Sequence, residues 1–233
     1  MQATVEQLER DDPRLALPMF TLPEAAGYLG VSYSTLRSWS IADDDRRALI
    51  TTVADGNRAT VPFIGFTEAF IIAAARRRGV PAHRIRPNVE AIRAEYGLDH
   101  ALASELIYTD NAELLTKAEG ATDQPMWVAR TNQYQFTHAV ADQLQLITFA
   151  GDGYAAKLKL TRYEGVEVTV DPMVGFGLPI IQESGARVRD VLDRLKGGEA
   201  LRHVAKDFAL SVKTVKTIAE SDPVAEAKIA KAN

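Results

Sequence analysis

The sequence predicts a mainly α-helical chain with small β-hairpins, an α+β fold, on three observations. Near each end, at residues 20–39 and 199–218, a short amphipathic helix runs into a tight turn and a second short helix. The first of these pairs is followed by Asp55-Gly56-Asn57-Arg58 between β-branched arms, a strong hairpin pattern. Two more strand-like runs, 156–160 and 166–170, meet at Glu164-Gly165 and read as one antiparallel pair.

Residues 1–19 read as an N-terminal arm whose mixed charges and lack of an apolar core argue against a signal peptide. Thr21 and Glu24 then have capping-box spacing, and Pro23 has the fixed φ that suits a first helical turn. Ala25, Ala26 and Leu29 form a narrow stripe of mostly small apolar residues that lets a second helix cross closely. Gly30 permits a left-handed turn, and Ser32 is a good N-cap for the next helix. In that helix Leu36 and Trp39 fall inward, while Tyr33, Ser34, Arg37 and Ser38 point out. The hairpin arms are expected at 49–53 and 59–63. Beyond them, 66–78 reads as a helix closed by Gly79 and 88–96 as another closed by Gly97.

The middle of the chain has weaker signals. Residues 106–115 have hairpin character with Asp110-Asn111 as turn, and 120–124 read as loop. Val140, Leu144 and Ile147 have near-helical spacing and predict a helix over 136–149, stopped by Gly151-Asp152-Gly153. Gly175-Phe176-Gly177 reads as a tight loop, since no dinucleotide-type helix follows it. Val191, Leu192 and Leu195 give one helix face, ended by Gly197-Gly198. Ala200-Leu201, Val204-Ala205 and Phe208 give a second face, and Thr214-Val215 with Ile218 a third, after Leu210-Ser211 as turn and N-cap. These three helices predict a trihelical domain preceded by short strands, with Lys213 and Lys216 outward. The expected division is an arm at 1–19, a winged unit at 20–120, strands plus trihelical unit at 121–222, and a tail at 223–233.

Composition narrows the function classes. At 46% hydrophobic and 25% charged residues the chain is ordinary globular protein. It has no cysteine, which rules out disulfides, thiolate zinc sites and thiol nucleophiles and fits a reducing cytoplasm. No stretch is apolar enough to span a bilayer, so no membrane partner is expected. The histidines, His83, His100, His138 and His203, are far apart, and there is no phosphate loop or nucleophile elbow. No catalytic residue, metal or cofactor is therefore assigned, and the chain reads as a non-enzyme. Its net charge of −4 is uneven: Lys+Arg against Asp+Glu is 10 to 9 over 20–100, 2 to 7 over 101–154 and 13 to 11 over 155–233. The acidity sits in the middle and the arm, leaving two near-neutral ends that can each present a local basic face.

The Glu24-Ala25-Ala26 start, Leu29-Gly30-Val31-Ser32, Thr35-Leu36-Arg37-Ser38-Trp39 and the hairpin after them resemble the opening of a MerR-type winged helix-turn-helix. The resemblance implies DNA contact by Ser32, Tyr33, Ser34, Thr35, Arg37 and Ser38 on the recognition helix, and by Asn57 and Arg58 at the wing tip. The competing reading of Arg37 is an ion pair with Asp43, Asp44 or Asp45, and that of Arg58 a solvated turn residue. Arg76-Arg77-Arg78 is the densest basic run, but a helix C-terminus favours such a cluster in any case.

Val170-Asp171-Pro172, Gly177-Leu178-Pro179-Ile180-Ile181, Arg187-Val188-Arg189-Asp190-Val191 and the Val204-Ala205-Lys206-Asp207-Phe208 helix arrive in an order similar to the small helix-turn-helix domain, long of unknown function, of VapB-type antitoxins. This second resemblance implies a PIN-fold ribonuclease toxin as partner, operator DNA as target, and a homodimer. It leaves Ser211, Lys213, Thr214 and Lys216 as either a second DNA surface or a dimer surface. A PIN site is a carboxylate cluster, so the tail residues Lys228, Ile229 and Lys231 are the expected toxin contact, with a frayed terminus as the plain alternative. The alternatives of another class are a stand-alone regulator with a ligand- or partner-binding middle, and an interaction adaptor that no longer binds DNA.

Overall fold

The computed structural model describes residues 5–42, 46–56, 58–107 and 141–221. In chain order it has α1 (Pro13–Ala16), β1 (Phe20–Thr21), α2 (Leu22–Leu29), α3 (Tyr33–Ser40), β2 (Val53–Asp55), β3 (Arg58–Val61), α4 (Phe63–Arg77) and α5 (Ala82–Tyr96). A 3-10 turn at Ala101–Ala103 closes this part. After a second 3-10 turn at Ala141–Leu146 come β4 (Ile147–Phe149), β5 (Ala155–Leu160), β6 (Val168–Val170) and β7 (Ile180–Ile181). Helices α6 (Val188–Lys196), α7 (Leu201–Asp207) and α8 (Val212–Glu220) follow. The fold is α+β, eight helices with two small antiparallel sheets among the described residues, ordered β1-β3-β2 and β4-β5-β6-β7.

Helix α4 is the hub. Its residues 63–75 are all buried, as expected of a helix apolar on every side, and Ala73, Ala74 and Ala75 let its neighbours come close. It packs against α1, α2 and β3 of the N-terminal half and against β5 of the second sheet. The buried side chains accordingly form one contiguous cluster running from Val5 to Ile218. The arm joins it through Val5 and Leu15, and through Arg14, which binds Asp12 (2.7 Å) and also Asp152 in the β4–β5 turn.

The Arg14 guanidinium holds the Asp12 and Asp152 carboxyls below their ordinary range. A carboxyl whose pKa is lowered by folding adds stability that is complete above its unfolded value and lost as pH falls through the folded one. Arg14→Met is therefore expected to lower stability near pH 7 by roughly 1 kcal/mol or less, because Asp152 is partly exposed, and to cost nothing at about pH 2. Thermal melts of the two proteins at both pH values check this.

Several boundaries differ from the sequence expectation for identifiable reasons. Residues 49–52 are not strand: the N–H groups of Leu49 and Ile50 donate to the Trp39 carbonyl at 2.8 and 3.2 Å, and that of Thr51 to Glu68, so these three are not available to a ladder. Residues 20–21, expected to lead straight into the first helix, instead pair with β3 as Phe20↔Val61 and Thr21↔Thr60. Helix α4 starts at Phe63, directly after Pro62. Helix α5 starts at Ala82 and carries Pro87 within its second turn, where one missing hydrogen bond is tolerated. Residues 147–149, expected to be helical, are β4, because Gly151-Asp152-Gly153 reverses the chain and pairs Ile147 with Leu158. Asp152 accepts the Tyr154 N–H at 3.0 Å in that turn. The hairpin expected over 106–115 lies, from 108 on, outside the described residues, and Leu106 and Ile107 are helical.

Candidate nucleic-acid interface

The N-terminal helix pair is built as its capping residues dictate. Thr21 Oγ1 accepts the Glu24 N–H at 3.4 Å, and the Glu24 carboxylate takes back the Thr21 N–H at 2.9 Å, closing a full capping box. Gly30 ends α2 at φ 67°, and the Val31 N–H reaches back to Ala26 O at 3.0 Å. Ser32 Oγ then accepts the Thr35 N–H at 3.1 Å and starts α3. Leu36 and Trp39 are buried beneath the helix.

The opposite face of α3 is open. Ser32, Tyr33, Ser34, Arg37 and Ser38 are exposed, and Thr35 is half-buried with its hydroxyl 2.8 Å from Ser32 Oγ. Ser34 Oγ lies 3.0 Å from Ser32 Oγ, while Ser38 donates to its own helix at Thr35 O, 2.7 Å away. Among the described residues no carboxylate forms an ion pair with Arg37, and Asp43, Asp44 and Asp45 lie outside them. Arg58 is exposed at the start of β3, in the wing, and Asn57 lies outside the described residues. The result is a capped helix start carrying exposed hydroxyls and one guanidinium, groups that can hold phosphate and read guanine.

What fixes the wing against this helix is a buried polar cluster that sequence reasoning missed. Glu68, fully buried in the middle of α4, accepts the Thr51 N–H at 2.6 Å. His100 Nδ1 lies 3.2 Å from Glu68 Oε1 and 3.0 Å from Thr51 Oγ1, and Arg93 Nη2 lies 3.8 Å from Glu68 Oε1. Arg93 also donates to Ala48 O at 2.9 Å and Leu49 O at 3.0 Å, and burial lowers the pKa of its guanidinium. The end of the connection from α3 to β2, residues 48–51, is thereby tied to α4 and α5. The signal was available as the single acid in the apolar run 63–75.

Helix α2 is gripped from three other elements. Its C-terminal carbonyls at Gly27 and Leu29 accept from Arg162, in the β5–β6 turn, and from Arg77 at 3.3 Å. Arg189 of α6 lies 3.8 Å from Glu24 at its N-terminus. Cations at the carbonyl end and an acid at the amide end both suit the helix dipole. Of the 76–78 run, Arg76 donates to Val80 O at 2.8 Å and Arg77 is spent on α2.

The second helix pair has the same local construction. The Leu210 N–H returns to Ala205 O at 2.8 Å, and Ser211 Oγ accepts the Thr214 N–H at 2.9 Å. Its turn residue Ala209 sits at φ 52°, where the first pair has glycine. One difference matters: Thr214 is buried and donates to Glu183 at 2.8 Å, so a carboxylate already stands at the N-terminus of α8. A phosphate there would meet like charge. Lys216 pairs with Glu220 at 3.6 Å and Lys213 is exposed. Lys228, Ile229 and Lys231 lie outside the described residues.

The class that fold and site define is a winged helix-turn-helix protein. A family model described as "Putative DNA-binding HTH domain" matches residues 18–89, and one described as "Protein of unknown function (DUF433)" matches 168–220, the last strands plus the trihelical unit. The chain is 37% identical over 218 residues to the "Putative antitoxin VapB45" of Mycobacterium tuberculosis (strain ATCC 25618 / H37Rv), covering 85% of this chain and 91% of that protein. It is also similar to the crystal structure of Rv2018 from Mycobacterium tuberculosis, with a TM-score of 0.70 and 32% identity over 88% of this chain and 99% of that one. The chain belongs to this family of VapB antitoxins. No helix among its described residues is long and apolar enough to cross a membrane.

Proposed function

We propose that this protein is the antitoxin of a type II toxin-antitoxin module, that it binds and silences a PIN-fold ribonuclease in the cytoplasm, and that as a homodimer it represses its own operon. The observation that carries the DNA half is the open face of α3, where Arg37 and the N-terminal hydroxyls stand clear of any described carboxylate. The contrast with α8, whose start is occupied by Glu183, favours the first unit for phosphate contact and the second for packing or partner contact. The toxin half rests on membership of the VapB family and is tested by co-purifying the tagged chain with the product of its neighbouring gene. A ribonuclease that comes down and is inhibited by the chain sustains this reading; a neighbour that neither binds nor cleaves RNA removes it.

Arg37→Ala is expected to weaken operator binding by roughly 10- to 100-fold, with thermal stability unchanged because the side chain is exposed. If Arg37 holds a phosphate, the loss is uniform across sequences and the salt slope falls by about one; if it reads a guanine, the loss is confined to the operator. Titration of operator and scrambled DNA at two salt concentrations separates these. Unchanged affinity for both would take Arg37 out of the interface.

A further inference from the structure

Between β6 and β7 the backbone is left-handed at three successive residues, Gly175, Phe176 and Gly177, with φ of 61°, 60° and 74°. Glycine adopts this conformation freely and phenylalanine does not. The strained residue is also the most exposed of the large apolar side chains among the described residues: Phe176 is 87% accessible, beside Met173 at 78% and Val174 at 49%. The loop is seated tightly on the protein below it. A Cβ at position 175 would lie 2.6 Å from Ile180 Cδ1, and one at 177 would strike Met19. It is therefore a firm knob that holds an aromatic ring out in water, and strain of this kind clusters where a protein meets something else.

The charges around the knob are balanced within the chain. Asp171 pairs with Lys157 at 3.6 Å and accepts the Met173 N–H at 2.9 Å, and Arg187 pairs with Asp190 at 3.3 Å. The Arg187 guanidinium carbon lies 5.8 Å from the centre of the Phe176 ring and supports it from one side.

We propose that this knob is the contact between two copies of this chain, related by a two-fold axis, which rests on the dimeric reading given above. The charge balance favours a second copy as occupant, because a neutral rim meets its own image without like-charge repulsion and offers nothing to select a strongly charged partner. The area fits a weak association: the three side chains present on the order of 400 Å² per copy, so a symmetric contact covers at most about 800 Å² before its polar rim, below the about 1,000 Å² of a stable specific interface. A symmetric contact of this size gives a weak dimer which two DNA half-sites would reinforce.

The chain has no cysteine of its own, which makes cross-linking clean. In the full-length protein, Phe176→Cys is expected to form an intermolecular disulfide on mild oxidation at least about ten-fold faster than Val212→Cys, a half-exposed apolar position on α8. Phe176→Gly removes the ring and the strain together, so it folds, and its dimer dissociation constant by sedimentation equilibrium is expected to rise by roughly 100-fold. Equal cross-linking by the two cysteines, or an unchanged dimer in Phe176→Gly, overturns the knob and leaves dimerisation to another surface. A wild-type chain that stays monomeric at about 100 μM overturns both the knob and the dimeric reading. If Phe176→Gly keeps its dimer but loses the ribonuclease, the knob belongs to that partner and the proposal fails.

Discussion

Glu68→Ala is expected to cost about 3–5 kcal/mol and to leave the N-terminal unit largely unfolded at 37 °C. The carboxylate is fully buried and receives the Thr51 N–H, with His100 and Arg93 beside it. Removing it strands the partly buried Thr51 amide and leaves the Arg93 guanidinium, already short of a partner at Nε, without the Glu68 counter-charge. Glu68→Gln keeps an oxygen for Thr51 and loses only the charge, so it should cost less, about 1–3 kcal/mol. Urea unfolding followed by circular dichroism orders the three proteins. If Glu68→Ala matches wild type, the cluster is not what holds the connection between α3 and the wing.

Gly65→Ala is expected to destabilise by about 3 kcal/mol, although the same change in an open helix interior stabilises by roughly 1 kcal/mol. The sign reverses because a Cβ at Gly65 would overlap the Thr51 carbonyl oxygen, with its carbon 2.9 Å away and Pro62 Cδ at 3.3 Å. The obstacle is backbone, and it cannot swing aside as a side chain can. It belongs to the segment that Glu68 and Arg93 pin, so relief means moving the wing against α3. Thermal melts read the stability loss, and operator titration of the folded fraction reads the displaced wing as weaker binding. A melting temperature at or above wild type would show that the segment yields freely.

Both effects arise where the sequence misled about the local structure. Residues 49–52 looked like a strand because Leu49, Ile50, Thr51 and Thr52 suit one, yet the amides of the first three are taken by Trp39 and Glu68. The first helix pair was legible down to its caps: Thr21, Glu24, Gly30, Ser32, Leu36 and Trp39 all do in the structure what their spacing implied. The grip on α2 was not, since Arg162 and Arg189 lie more than 130 residues away in sequence and nothing local marks them as partners of that helix. Helix 136–149 was misread at its end for a related reason. An apolar residue every three or four positions fits both a helix and the start of a strand, and only the pairing of Ile147 with Leu158 decides between them.

What the sequence determined by itself is what short-range chemistry controls. Capping boxes, left-handed glycines and 3.6-residue periodicity act within one or two turns, so both helix pairs and the wing turn could be read from neighbouring residues. What only the tertiary structure decided is which of two nearly identical helix starts stays open. Ser32 and Ser211 make the same cap, but Glu183 folds onto the second and no described carboxylate covers the first. The tertiary fold likewise decided that Glu68 would stand beside Arg93, and that Phe176 would be held out in solvent by glycines seated on Met19 and Ile180. Such contacts join residues far apart in the chain. Their energy appears only once the intervening segments have packed, and so no local pattern encodes them.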